Sequence, residues 1–220
     1  MPNKEKYLNN ELLINARKPE GELGEKLIDM MNENHKNLAQ WSVNHLEISK
    51  KDIILDIGCG GGVNVKRFLK MTDNNVYGID YSDVAVKKSI ELNKKAIEDK
   101  RCEIIKGSVS KLPFEDNSFD IITAFETVYF WPDFENDLKE VKRVLKDGGI
   151  IFIANEALPI KDDERQKEFI ELLDANIYSE KELNDSLTNA GFCDIACFKK
   201  ESIDSFTGDY ANWICFVAKK

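Results

Sequence analysis

The sequence predicts an α/β fold in which a doubly wound, mostly parallel sheet is covered by helices on both faces. Apolar runs typical of strands alternate with segments of helical periodicity from residue 52 onward, and a glycine-rich turn follows the first run. The chain of 220 residues is long enough for one well-buried domain with a small extension. We therefore expect residues 51–220 to form the main domain and residues 1–50 a helical cap.

The predicted elements follow one another in a regular order. Apolar residues recur at helical spacing within the cap, where they are Leu27, Met31, Leu38 and Trp41. This segment is expected either to cover the main fold or to pack on its edge. Strands are predicted at 53–57, 76–79, 102–106, 119–125, 149–155, 195–199 and 213–218. The last two strands suggest a hairpin at one edge of the sheet.

Helix boundaries are indicated by capping residues. Ser82 is a good N-cap for a helix that carries Val86, Ile90 and Ile97 on one face. Ser179 followed by Glu182 is a capping box. Two further helices are predicted, one over 63–71 and one from 134 to 145 that ends with Gly148 at its C′ position.

Composition and charge exclude several functional classes. No apolar run approaches the roughly 18 residues of a membrane helix, and the polar start of the chain lacks the apolar core of a secretory signal. A net charge of −9 repels a phosphate backbone. We expect a cytoplasmic protein that binds neither membrane nor nucleic acid. Its five cysteines form no C-x-x-C pair and suit reduced thiols, so no metal site is predicted.

The turn after the first strand carries the main chemical signal. Asp56, Gly58, Gly60 and Gly62 form D-x-G-x-G-x-G, whereas dinucleotide enzymes use G-x-G-x-x-G. Glycines let a ligand approach bare backbone, and a carboxylate at the strand end favours an ammonium group over a pyrophosphate. Asp80 ends the second strand, where a carboxylate reaches ribose hydroxyls. Its alternative role is to interact with the dipole of the helix that follows.

Several linked motifs resemble those of class I S-adenosylmethionine-dependent methyltransferases. They are ILDIGCGGG, VYGIDYS, GSVSKLPFEDNSFDII and RVLKDGGIIFIAN, in family order over residues 50–155. The resemblance implies a Rossmann-like sheet of seven strands whose last strand is antiparallel. It also implies S-adenosylmethionine as methyl donor and a small-molecule acceptor methylated at nitrogen, oxygen or carbon. The alternatives are a non-catalytic S-adenosylmethionine-binding partner protein and, less favoured by glycine spacing, an NAD-dependent oxidoreductase.

The resemblance also assigns the cofactor contacts. Asp56 and the three glycines 58, 60 and 62 would frame the methionine end, Asp80 would bind the ribose, and Tyr81 would pack near the adenine. Relatives often carry an acidic adenine contact where this chain has Ser108 and Val109, so the contact here falls to the Ser108 side chain or the Val109 backbone. Phe125, at the end of the fourth strand, completes the predicted cofactor set.

Acceptor contacts are expected after strands four and five, because ligands of open α/β sheets bind at the carboxyl ends of strands. These positions hold Glu126, Tyr129, Phe130, Trp131 and Glu156, a combination of carboxylates and aromatics that suits an amine or another cation. The alternative is that the aromatics only pack. His35 is either a structural residue or a general base lowered over the site by the cap. Transfer from a sulfonium requires no dedicated base when the nucleophile is already deprotonated.

Overall fold

The computed structural model describes residues 10–156, 158–160, 162–203 and 210–220. A seven-stranded sheet forms its centre, in the order β3-β2-β1-β4-β5-β7-β6. The strands are β1 (Ile54–Ile57), β2 (Val76–Asp80), β3 (Cys102–Lys106), β4 (Phe119–Phe125), β5 (Leu145–Asn155), β6 (Cys193–Ile203) and β7 (Tyr210–Lys219). Strand β7 runs antiparallel to both of its neighbours, while β1 to β5 pair in parallel. The predicted fold class is confirmed, and so is the hairpin of β6 and β7 at one edge.

Helices flank the sheet. They are α1 (Asn10–Ile14), α2 (Gly21–Asn34), α3 (Lys36–Val43), α4 (Val63–Phe68), α5 (Asp83–Glu98), α6 (Phe134–Val144), α7 (Glu164–Leu173) and α8 (Glu180–Asn189). The Ser82 N-cap and the Ser179 capping box are both confirmed, since each hydroxyl accepts a hydrogen bond from the backbone three residues on. In the described part of the chain, no helix combines the length and apolar character that crossing a bilayer requires.

Two apolar cores lie on opposite faces of the sheet. Because side chains alternate along a strand, the fully buried neighbours Ile54 and Leu55 belong to different cores. The Leu55 core includes Leu138 of α6 and Leu183 of α8. The Ile54 core includes Phe68 of α4. The sheet therefore lies between these two cores and is packed on both faces.

Of the N-terminal helices, α3 packs on the Ile54 side of the sheet. Helix α3 contributes Ala39 and Val43 to that core, and the ring of Trp41 lies 5.9 Å from the ring of Trp213 on β7. The helical stripe predicted for the cap is interrupted at His35, which separates α2 from α3. Residues 1–9 of the predicted cap lie outside the described residues.

Two helix predictions are wrong in detail. Helix α6 ends at Val144, and Leu145 already pairs with Phe119 as the first residue of β5. Gly148, with φ of +76°, therefore lies within β5 rather than at a helix end. On α5, the fully buried residues are Ala85, Ser89 and Asn93, whereas Ile97 of the predicted apolar face is half-buried against the Ile54 core. Ile90 is 41% exposed, because this helix packs its small and polar face against the glycine turn.

Candidate active site

A cavity of about 1460 Å³ opens at the carboxyl edge of the parallel strands. Its walls come from the segments that follow β1, β2, β4 and β5, and from the helices α2 and α7. Neighbouring parallel strands end at the same edge, and their loops therefore meet there. Polar groups line the sheet side of the cavity, and α2 contributes mainly apolar side chains such as Leu27 and Ile28. Helix α7 contributes the apolar Phe169 and Leu172 together with polar and charged side chains.

The glycine turn is bound to the end of β2. The backbone N–H groups of Gly58 and Cys59 both donate to the carbonyl of Ile79, at 2.8 and 3.1 Å. The N–H of Gly60 donates to Oδ2 of Asp80 at 2.9 Å. Gly60 has φ of +51°, and a Cβ atom added there would meet no atom within 4 Å. This glycine therefore presents bare backbone to the open cavity.

Asp80 links the turn to the next helix. It is 7% exposed, and its Oδ1 accepts a hydrogen bond of 2.9 Å from the N–H of Ser82, the N-cap of α5. Burial raises the pKa of this carboxyl group, whereas the backbone donors of Ser82, Gly60 and Tyr81 lower it. The carboxylate holds two backbone donors in place at the cavity edge.

Asp56 supports the site from beneath. It is 2% exposed, and its Oδ1 accepts a hydrogen bond of 2.7 Å from the hydroxyl of Thr123 on β4. Burial raises the pKa of Asp56 to about 7, and the Thr123 hydrogen bond opposes this shift. Asp56 does not line the cavity in the described structure.

The structure separates the predicted cofactor residues into two groups. Those that line the cavity are Gly58, Gly60, Asp80, Tyr81 and Phe125, and among the described residues those that do not are Asp56, Gly62, Ser108 and Val109. Gly62 instead lies against Ser89 and Asn93 of α5, where a Cβ atom would meet Asn93 Nδ2 at 2.6 Å. Ser108 is exposed, and Val109 is buried in the Leu55 core.

Most of the predicted acceptor residues line the cavity, namely His35, Glu126, Tyr129, Phe130 and Glu156. Nε2 of His35 lies 3.9 Å from Oε2 of Glu156. The backbone N–H of Glu156 donates to Oε1 of Glu126, and the Tyr129 hydroxyl lies 3.3 Å from the same oxygen. One ligating atom each of His35, Glu126 and Glu156 lies within 4.8 Å of the other two. The structure thus brings His35 together with residues that lie about 90 and 120 positions later in the sequence.

Trp131 does not join this group. It is 4% exposed and packs in the Leu55 core, and its indole N–H donates to the hydroxyl of Thr127 at 3.2 Å. Of the three aromatics predicted for the acceptor site, Tyr129 and Phe130 line the described cavity. The packing alternative therefore holds for Trp131.

Other residues of the site were missed by the sequence analysis. Helix α7 was not predicted, although Phe169 and Leu172 lie three residues apart on it and line the cavity. The indole N–H of Trp213 donates to Oε1 of Glu156 at 3.0 Å. Arg17 donates to the carbonyls of Leu173 and Asp174, so the end of α7 is bound to the N-terminal segment. The helical spacing could have indicated α7, but no local pattern marks Arg17 or Trp213.

A comparison with known families matches residues 55–153 to a model described as "Methyltransferase domain". Residues 55–153 are thus similar to a methyltransferase domain. This domain contains the glycine turn, Asp80 and Glu126. Two residues of the acceptor group, His35 and Glu156, lie outside it.

The chain is also similar to known methyltransferases in sequence and in structure. The sterol 24-C-methyltransferase of Kluyveromyces lactis is 31% identical over 153 residues, which cover 66% of this chain and 41% of that protein. The chain spans 26–41% of the length of this and two other curated relatives.

Two solved structures share the fold. A phosphoethanolamine N-methyltransferase of Haemonchus contortus, in complex with S-adenosyl-L-methionine, has a TM-score of 0.75 and 17% identity, with coverage of 89% of this chain and 57% of that chain. A SAM-dependent methyltransferase of Aquifex aeolicus has a TM-score of 0.67 and 22% identity, covering 88% of this chain and 97% of that chain. The methyltransferase fold therefore extends over most of the chain.

Proposed function

We propose that this protein transfers the methyl group of S-adenosylmethionine to a small molecule and releases S-adenosylhomocysteine. The observation that carries the proposal is the composition of the cavity. The glycine turn and Asp80 line one part of it, and His35, Glu126 and Glu156 line another. Donor and acceptor subsites within one cavity are what a direct transfer requires.

The cofactor is proposed to lie along the glycine turn. Its methionine end would pass the bare backbone of Gly60, and its ribose hydroxyls would donate to Asp80. Asp56 and Gly62 would act indirectly, since Asp56 lies below the turn and Gly62 packs against α5. Tyr81 and Phe125 line the cavity and would contact the adenosine part. The Ser108 side chain or Val109 backbone remains the proposed adenine contact.

The acceptor is proposed to bind between the carboxylates and the two helices. The protein then has to hold a nucleophile in line with the S–CH3 bond at roughly 3 to 3.5 Å and exclude water. Apolar residues of α2 and α7, including Met31 and Phe169, line the cavity and would exclude water. They also suit an acceptor with an apolar part, as in the sterol methyltransferases that the chain resembles. His35 or Glu126 would accept a proton if the nucleophile arrives protonated.

Calorimetric titration and product analysis test this function. Wild-type protein is expected to bind S-adenosylhomocysteine and not NAD, and to form S-adenosylhomocysteine from S-adenosylmethionine when pools of small amines, phenols and sterols are supplied. Binding without turnover by any pool would favour the non-catalytic partner protein. Binding of NAD alone would contradict the proposal.

A further inference from the structure

The acceptor end of the cavity contains an unusual convergence of ligating atoms. His35 lies between α2 and α3, Glu126 follows β4, and Glu156 follows β5. Because one atom from each of them lies within 4.8 Å of the other two, three separate elements direct an imidazole nitrogen and two carboxylate oxygens to one point. The His35 side chain is 24% exposed and that of Glu156 is 9% exposed. This cluster is part of the cavity wall rather than of the outer surface.

The distance between the imidazole of His35 and the carboxylate of Glu156 suits a metal ion. Two ligands of an ion with bonds of about 2.1 Å lie roughly 3.0 to 4.2 Å apart. The 3.9 Å between Nε2 of His35 and Oε2 of Glu156 falls in this interval. It is too long for a direct hydrogen bond, which spans about 2.6 to 3.2 Å. An ammonium group with hydrogen bonds of about 2.9 Å would hold its acceptors roughly 4.7 Å apart, which fits this pair less well.

Hydrogen bonds orient both carboxylates. Oε1 of Glu156 accepts from the indole N–H of Trp213 at 3.0 Å, and Oε2 of the same residue faces His35. Oε1 of Glu126 accepts from the backbone N–H of Glu156 and lies 3.3 Å from the Tyr129 hydroxyl. In most natural metal sites, hydrogen bonds from surrounding residues orient the ligating side chains in this way. The ligands therefore need only small movements to close on an ion.

We propose that His35, Glu126 and Glu156 bind one divalent first-row transition ion, for which Mn²⁺ is the test probe. One imidazole and two carboxylates suit such ions and leave further coordination positions open. Those positions would face the cavity and take an oxygen or nitrogen atom of the acceptor. This last step rests on the proposed function, whereas the metal site does not. The proposal replaces the sequence-based expectation that the protein has no metal site.

Metal binding is tested on the full chain after treatment with a chelator. Titration with Mn²⁺, followed by calorimetry and by electron paramagnetic resonance, is expected to show one ion per wild-type chain. Glu156→Gln and His35→Ala should each weaken Mn²⁺ binding at least about tenfold, and Trp213→Phe should weaken it by about tenfold. Glu33→Gln is the matched control, because Glu33 lies two residues before His35, is exposed and does not line the cavity.

Three outcomes separate the possibilities. Wild-type affinity for Mn²⁺ in Glu156→Gln protein, or no binding at roughly millimolar Mn²⁺, would overturn the proposal. Binding of methylammonium by the metal-free protein, lost in the same variants and not displaced by Mn²⁺, would identify an amine subsite instead and would also overturn it. Circular dichroism spectra check that each variant is folded. Titration with S-adenosylhomocysteine tests the proposed function separately, because Asp80 and Gly60 lie outside the cluster.

Discussion

Replacing Asp80 tests the proposed cofactor site at its most constrained residue. Oδ2 accepts a hydrogen bond from Gly60 and Oδ1 accepts one from Ser82, both at 2.9 Å. Asp80→Ala would remove both bonds and leave the turn and the start of α5 without their shared acceptor. Asp80→Asn keeps the shape of the side chain. Its amide oxygen can still accept one of these two hydrogen bonds, but its amide nitrogen cannot accept the other. The asparagine variant therefore separates the charge of Asp80 from its volume.

The expected magnitudes follow from these contacts. A hydrogen bond to a charged group contributes about 1.5 to 3 kcal/mol, and burial of the carboxylate offsets part of this. We expect Asp80→Asn to lower the free energy of unfolding by about 1 to 2 kcal/mol, and Asp80→Ala to lower it by about 2 to 4 kcal/mol. Loss of two ribose hydrogen bonds should weaken cofactor binding by about 1 to 3 kcal/mol, a decrease in affinity of roughly 5- to 150-fold.

Urea denaturation and calorimetric titration with S-adenosylhomocysteine measure the two effects independently. Asp83→Asn is the matched control, since Asp83 is three residues away, 78% exposed at its side chain and paired with Lys106. It should change neither quantity by more than about 0.5 kcal/mol. Wild-type affinity for S-adenosylhomocysteine in a folded Asp80→Asn protein would refute the assignment of Asp80 to the cofactor site.

Three further predictions concern Gly60 in the glycine turn, the buried carboxyl group of Asp56, and Arg17, which binds the end of α7. Gly60→Val should abolish calorimetric binding of S-adenosylhomocysteine, because its side chain would occupy the open space beside the turn and its φ is +51°; wild-type affinity would place the cofactor elsewhere. Burial raises the pKa of Asp56 to about 7 in the folded state, against an ordinary value of 3.8. The stability that comes from the protonated carboxyl group is therefore complete below about pH 4 and is lost as the pH rises from there through 7. Urea denaturation should therefore show Asp56→Asn gaining about 2 kcal/mol relative to wild type between pH 5.5 and 8, and no gain would contradict the raised pKa. Arg17→Ala, which removes hydrogen bonds to Leu173 and Asp174, should lower stability by about 1 kcal/mol and speed hydrogen exchange at the end of α7; unchanged exchange would mean that Arg17 does not hold this end.

Strong local signals in the sequence predicted their parts of the fold well. Buried strands such as β4 read as apolar runs, and Ser82 and Ser179 marked helix starts through their own hydroxyl groups. The error at α6 had a physical cause, because an apolar residue such as Leu145 satisfies a helical stripe and a strand equally well. Only pairing with Phe119, distant in sequence, decides between them.

Site residues that follow strand ends could be predicted from the sequence, whereas contacts between residues far apart in the sequence could not. Glu126 and Glu156 could be placed at one edge of the sheet from strand order alone. Their convergence with His35 depends on the interruption between α2 and α3, which no sequence pattern indicated. Ser89 and Asn93 were missed because the apolar stripe of α5 suggested a different buried face. Close packing against Gly62 favoured their small and polar side chains instead.

A crystal structure of the protein with S-adenosylhomocysteine tests the central claim most directly. We expect the ribose hydroxyls to lie within hydrogen-bond distance of Asp80, the methionine end to pass Gly60, and the sulfur to face the part of the cavity lined by Glu126 and Glu156. Ribose bound away from Asp80, or a sulfur directed away from these carboxylates, would contradict it.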